Sequence, residues 1–219
     1  MLPGGVRAVW TGRAEGDLGP GAGGDVSARR RAVVDRTWSW LRQVHGASVV
    51  SAGPGQVVEG LEADAVVADP GLASQTALAV FTADCGPLAL ASPEGAMAAV
   101  HAGWRGLVAG VVPAAVEVMR RAGARSVVGA LGPCIHAECY EFGASDLAAV
   151  EREVGAAVGG VTAWGAPALD LPAAVAAAAE AAGVELVFSS PVCTACSPDH
   201  YSHRARGDTG RQALVVWRD

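Results

Sequence analysis

The sequence contains no lysine: all 16 of its basic residues are arginine. That excludes a lysine Schiff base and a P-loop lysine, and the absence itself reads as codon bias rather than chemistry. The net charge is -6 and no basic run is longer than Arg29-Arg30-Arg31. Nucleic-acid phosphates are held by clustered cations, so no nucleic-acid partner is expected. Long apolar runs are missing too. Each is broken by Gly, Pro or Asp well before the roughly 18 residues of a membrane-spanning helix, so no membrane span is expected. Met1-Leu2-Pro3-Gly4-Gly5 lacks the basic and apolar regions of a secretory leader, which makes the cytoplasm the expected location. Histidine is scarce, with 5 residues, too few for a multicopper oxidase. The cysteines number 5, and an odd count without an export signal favours free or metal-bound thiols over a disulfide framework.

Apolar material is plentiful. Of 219 residues 51% are hydrophobic and 17% charged, enough to bury a full core. No repeat or linker divides the chain, so a single domain over 1–219 is expected. Val6–Trp10 reads as a strand and Thr11–Gly24 as a polar, glycine-rich loop with room to move. Asp25 can cap a helix over Ser27–Trp38, with its arginines outward and Ala32, Val33 and Val34 inward. Trp40–Ser51 reads as a strand interrupted at His45-Gly46, Ala52–Gly60 as a turn-rich loop and Ala63–Ala68 as a short strand. A helix over Leu107–Ala122 should start or bend at Pro113. Strands are expected over Ser126–Leu131, Glu185–Ser189 and Leu214–Trp217. Helices are expected from Ala144 or Ser145 to Val154, and from near Pro172 behind a capping Asp170. Neighbouring strands thus mix with strands joined through helices, which predicts a mixed sheet with helices packed on it.

The stretch Phe81 to Gly106 organises the rest. Ala77–Cys85 reads as a buried strand that Leu88–Ser92 continues, Pro93-Glu94-Gly95 as a turn, and Ala96–Ala102 as the returning strand. Folding back there brings Cys85 and His101 to the same edge, although 16 positions separate them in the sequence. With Gln43-Val44-His45 and Asp84 they form the leading constellation. Two imidazoles and a thiolate suit Zn²⁺ and leave a fourth position open. A buried thiol and two hydrogen-bonded imidazoles would account for the same residues without a metal. Copper is the chemical competitor, but Met97, four residues from His101 along a strand, would lie about 13 Å away.

Cys193-Thr194-Ala195-Cys196 is a CxxC followed by Ser197-Pro198, not by the helix a redox motif requires. A structural role is the better reading. A second ligand pair would have to come from Cys134 and Cys139. Arg105, Arg204, Arg206 and Arg211 are candidate anion ligands, because guanidinium grips phosphate or carboxylate with two parallel bonds. Arg105, between Gly103 and Gly106 and beside His101, is the strongest of them.

Taken together, QVHGASVV at 43–50, ADAVVAD at 63–69, TADCGPLAL at 82–90, HAGWRG at 101–106, GPCIHAECYEFG at 132–143 and, more loosely, YSHRARGDTGR at 201–211 resemble the laccase-domain (YfiH-like, polyphenol-oxidase-like) family. The segments run in family order across most of the chain. The resemblance implies an α/β sandwich with mixed sheets in one domain, like that of cysteine-hydrolase toxins. It implies zinc held by His45, Cys85 and His101, and phosphorolysis of inosine, adenosine, guanosine and methylthioadenosine together with deamination of adenosine. Purine nucleoside and phosphate are then the expected partners. Copper-dependent phenol oxidation and peptidoglycan editing have also been linked to the family. By position, Arg105 would hold phosphate, helped by Arg211, and Asp64 or Asp84 would move protons. The rival readings are a metal-free hydrolase with Cys85 as nucleophile and His101 as base, and a binding protein with an inert metal site. The sequence departs from the family at Arg204-Ala205-Arg206-Gly207-Asp208, where the acidic residue is displaced, and in its short N-terminal segment, which bears on substrate contacts from residues 11–25. Oligomeric state is not legible in the sequence.

Overall fold

Alternate side chains of the central strands face two different cores, and this fixes the architecture. The computed structural model describes residues 1–71 and 75–219. Along the chain run β1 (Val6–Trp10), α1 (Val26–Val33), β2 (Thr37–Arg42), β3 (Val49–Ala52), β4 (Glu59–Glu62), β5 (Ala65–Ala68), β6 (Thr76–Thr82), β7 (Gly86–Ala91) and β8 (Met97–Ala102). There follow α2 (Trp104–Ala109), α3 (Val111–Arg121), β9 (Val127–Leu131), α4 (Ala144–Val154), β10 (Gly159–Val161), β11 (Pro167–Leu169), α5 (Leu171–Ala181), β12 (Val184–Ser189), α6 (His203–Arg206) and β13 (Gln212–Arg218).

Two mixed sheets stack face to face. The first has the order β1-β13-β6-β2-β4 and the second β12-β9-β7-β8-β5-β3. Between them lie Leu78, Val80, Leu214 and Val216 from the first sheet against the small Val66, Ala68, Ala89, Ala91 and Ala99 of the second. The opposite faces of those second-sheet strands, with Val67, Leu88, Leu90 and Val100, pack under Leu107, Val112, Val116, Met119 and Val175 of the helices. Large residues on one sheet meet alanines on the other, so the two faces complement each other in volume. The result is the expected α/β sandwich with mixed sheets. Among the described residues, no helix is long and apolar enough to cross a membrane.

Several local expectations are corrected. The first helix ends at Val33, because Val34 turns extended, and Trp38 belongs to β2, which pairs with β6. Its arginines are not all outward. Arg30 is half-buried, its guanidinium 5.0 to 5.6 Å from the ring centres of Trp38, Trp40 and Phe81, while Ala32 is exposed. Residues 40–51 form two strands in different sheets, parted where His45 takes φ of 60°. The apolar run from Ala77 to Ser92 is likewise two strands in two sheets. The chain crosses between them at Ala83-Asp84-Cys85, with Asp84 at φ of 95°. Gly110, at φ of 84°, divides α2 from α3, and Pro113 sits in the first turn of α3 where its missing N–H costs nothing. The short strands β4, β10 and β11 escaped the sequence pattern. Residues 11–24 are anchored: Leu18 is fully buried, and Arg13 pairs with Asp208 and lies 4.6 Å from the Tyr201 ring centre.

Candidate functional site

Three chain connections converge at one edge of the second sheet. The β7–β8 hairpin pairs Gly86 with Ala102 and Pro87 with His101, so Cys85, one residue before β7, arrives beside His101 as its turn chemistry requires. Next to β8 lies β5, with Ala65 opposite Val100, and the His101 N–H donates to the Asp64 carbonyl at 2.8 Å. The fully buried Asp64 carboxylate accepts N–H bonds from Val44, His45 and Gly46 at 3.3, 2.9 and 2.7 Å. That carboxylate therefore shapes the β2–β3 connection and the left-handed turn that presents His45. It also takes the His101 Nδ1–H at 2.8 Å, which leaves Nε2 free to face Cys85.

His45 Nε2 lies 3.9 Å from Cys85 Sγ, and the two imidazoles meet edge to face at 4.9 Å. One ligand atom from each of His45, Cys85 and His101 falls within 4.8 Å of the others. Bonds of about 2.0 to 2.3 Å to a tetrahedral Zn²⁺ call for ligand atoms about 3.3 to 3.8 Å apart, so the donor set fits such an ion. The carboxylate behind His101 is the outer partner that metal-bound imidazoles use. Gly103 keeps the approach clear: a Cβ there would stand 3.0 Å from Cys85 Sγ and 3.3 Å from His45 Cδ2.

Without a cation the same groups polarise one another. Burial pushes the Cys85 thiol up, but the His101 charge and hydrogen bonds from both imidazoles outweigh it and bring the thiol down to about 6. Burial lowers His101, yet the Cys85 charge and the Asp64 hydrogen bond carry it up to about 9. The pair is then thiolate and imidazolium. Burial, and after it the Cys85 charge, push the Tyr140 phenol up, so Tyr140 keeps its proton.

These groups open into a cavity of about 530 Å³, whose wall includes Gln43, Phe81, Thr82, Asp84, Trp104, Arg105, Tyr140, His203, Arg204 and Arg211. Arg105 is exposed, its guanidinium 4.3 Å from the Trp104 ring centre. Arg204 lies 4.8 Å from the Tyr140 ring centre and donates to the Glu141 carbonyl at 2.9 Å. Arg211 Nη1 donates to the carbonyls of Asp208, Thr209 and Gly210. Arg206 does not belong with them. Its guanidinium is taken by the carbonyls of Thr194, Ala195 and His200 and by Asp208, and it is outside the cavity wall, which corrects its reading as an anion ligand. The displaced Asp208 has a structural contact: it takes the Ser202 N–H at 2.8 Å and pairs with Arg13.

Asp84 accepts the Thr194 hydroxyl on one oxygen and the Arg204 N–H on the other, both at 2.7 Å. The Gln43 amide clasps both backbone groups of Phe81, at 2.7 and 2.8 Å, and so ties the end of β2 to β6. His203 and Tyr140 were not singled out from the sequence. Their only signal is that they lie in segments 132–143 and 201–211, and nothing in their spacing ties them to His101.

Comparison with known proteins finds a family model and several relatives. The family model described as multi-copper polyphenol oxidoreductase laccase matches residues 25–219. A protein named purine nucleoside phosphorylase from Streptomyces coelicolor is 45% identical over 203 residues, covering 89% of this chain and 81% of its own. One of the same name from Deinococcus radiodurans is 42% identical over 181 residues, covering 80% and 68%. Among solved structures, a Neisseria meningitidis protein superposes with a TM-score of 0.83 at 29% identity, covering 100% of this chain and 96% of its own. YlmD from Geobacillus stearothermophilus gives 0.81 at 26% identity, covering 98% and 92%.

Proposed function

The chain belongs to the multi-copper polyphenol oxidoreductase laccase family, and from that premise we propose that it is a cytoplasmic, zinc-dependent purine nucleoside phosphorylase that also deaminates adenosine. Its substrates would be inosine, adenosine, guanosine or methylthioadenosine with phosphate. One observation carries the reading. The His45–Cys85–His101 donor set opens into a cavity of nucleoside size whose wall also holds Arg105, Arg204 and Arg211. The names of the relatives support the same reaction class.

His45, Cys85 and His101 would hold the ion, whose contribution is Lewis acidity. Arg105, oriented on Trp104, binds phosphate, and Arg211 assists from the opposite loop. A phosphate oxygen forms a bond to ribose C1′ while the bond from C1′ to the purine nitrogen breaks. The leaving base needs a proton, and His203 and the proton-bearing Tyr140 are the wall groups able to give it. Asp64 and Asp84 were expected to move protons. Both carboxylates are already committed to several donors, so their part here is to position His45, His101 and Arg204.

The paired Cys85 and His101 also favour a second reading, a metal-free hydrolase with Cys85 as nucleophile. One experiment separates the two. Metal content is measured by mass spectrometry beside an inosine-plus-phosphate assay, for wild type and Cys85→Ala, with ammonia release from adenosine read on the same samples. Zinc at His45, Cys85 and His101 and ribose-1-phosphate formation should disappear together in the variant. A metal-free wild type whose hydrolysis is blocked by iodoacetamide would replace the phosphorylase with the hydrolase. Copper with phenol oxidation would replace the ion, and zinc without turnover would leave a binding protein.

A further inference from the structure

The CxxC takes no part in the chemistry above, yet its thiols meet a third. Cys139 Sγ lies 3.3 Å from Cys196 Sγ although 57 positions separate them in sequence. The sulfurs of Cys139, Cys193 and Cys196 all fall within 4.8 Å of one another, and all three are free thiols. Thiolates on a tetrahedral Zn²⁺, with bonds of about 2.3 Å, stand about 3.8 Å apart, so the cluster has the right size. Cys134, which the sequence offered as the partner of Cys139, is buried in the core beneath the helices.

Two further features point to a cation. The backbone N–H of His136 donates to Cys193 Sγ at 3.4 Å. A backbone N–H aimed at a sulfur suits a thiolate, the form in which cysteine binds metal. Glu138 Oε1 lies 3.8 Å from Cys196 Sγ. This places a carboxylate oxygen at the edge of the three sulfurs, where a fourth ligand to a cation would stand.

We propose that Cys139, Cys193 and Cys196 form a second metal site, structural and selective for Zn²⁺, with Glu138 or water in the fourth position. Binding transfers the three thiol protons to solvent and leaves the sulfurs as thiolates on the ion. Soft sulfur donors select zinc over magnesium or calcium. The site acts as a clasp on the first cavity. Cys139 precedes Tyr140 in the cavity wall, and Thr194, inside the CxxC, donates to Asp84 at 2.7 Å. A metal here fixes both segments.

The test is a zinc count on the full chain, purified reduced and without added metal. Wild type is expected to hold about two zinc ions per chain, Cys85→Ala about one, and Cys85→Ala with Cys196→Ser about none. Cobalt loaded into Cys85→Ala should give a thiolate-to-metal charge-transfer band that Cys196→Ser abolishes. Cys196 is exposed, so its serine variant should keep the fold, and Cys139→Ser must give the same loss. Cys85→Ala that takes up neither zinc nor cobalt would overturn the proposal. So would metal retained when Cys85→Ala is combined with Cys196→Ser and with Cys139→Ser, or a Cys139–Cys196 disulfide that survives the reducing purification. The count does not depend on turnover, so failure of the phosphorylase reading would leave it standing.

Discussion

At the residue scale, the first site is governed by Asp64. One carboxylate shapes the His45 turn with three backbone bonds and fixes His101 with a fourth, so two ligands share a single orienting group. Their proximity to Cys85 gives a testable pH dependence. In metal-stripped protein the Cys85 thiol, brought down to about 6, should be alkylated by iodoacetamide at a rate that is flat above about pH 7 and falls as pH drops through 6. The sign follows from thiolate being the nucleophile: a depressed pKa extends reactivity downward in pH. A midpoint near the ordinary thiol value of about 8.5 would refute the Cys85–His101 pairing. Restoring zinc should protect the thiol. The donor types were legible in the sequence, because TADC and HAGWRG flank a recognisable turn. The role of Asp64 was not, since a carboxylate with four partners looks the same in sequence as a free one.

At the scale of elements, the strand-to-helix exit after β8 is the tightest point. Gly103 has an ordinary extended backbone, so Gly103→Ala meets no conformational penalty; its Cβ meets Cys85 Sγ at 3.0 Å instead. This substitution should weaken metal binding at the first site about 10-fold or more while leaving the melting temperature within a few degrees. Metal titration beside a thermal melt reads both quantities. Equal loss of stability and affinity would mean that Gly103 serves the fold rather than the site. Helix starts at this scale were readable from local chemistry: Asp25 caps α1 through Ala28 N–H, and Asp170 caps α5 through Ala173 N–H. The end of α1 was not, because Val33-Val34 continues a helical pattern whose next residues are claimed by pairing with β6.

At the scale of the molecule, stability rests on two sheets held by a thin inter-sheet core. Leu78 is fully buried there against small residues of the facing sheet. Leu78→Ala removes the large partner from that complementary pair and should cost about 2–5 kcal/mol, since alanine neighbours cannot reach into the cavity. For a chain of this length that corresponds to a fall in melting temperature of about 5–15 °C, measurable by calorimetry. A change of a degree or less would mean that the sheets close up around the deletion. The apolar content announced a large core, but the division of that core into two layers was hidden. Strands buried on both faces read as continuous apolar runs, and the run from Ala77 to Ser92 does not reveal that the chain changes sheets at Asp84.

The sequence by itself determined what is local: the lack of lysine and of long apolar runs, the Pro93-Glu94-Gly95 reversal, the helix caps, and the thiol and imidazole donors on offer. Tertiary structure decided which of them meet. His45 reaches Cys85 only because β5 pairs with both β3 and β8, and Cys139 reaches the CxxC across 57 residues. Turn chemistry and side-chain periodicity act over a few residues and leave a mark in the sequence. The choice of strand partner and register is a property of the whole packed chain, and it is that choice that assembles both thiol-containing sites.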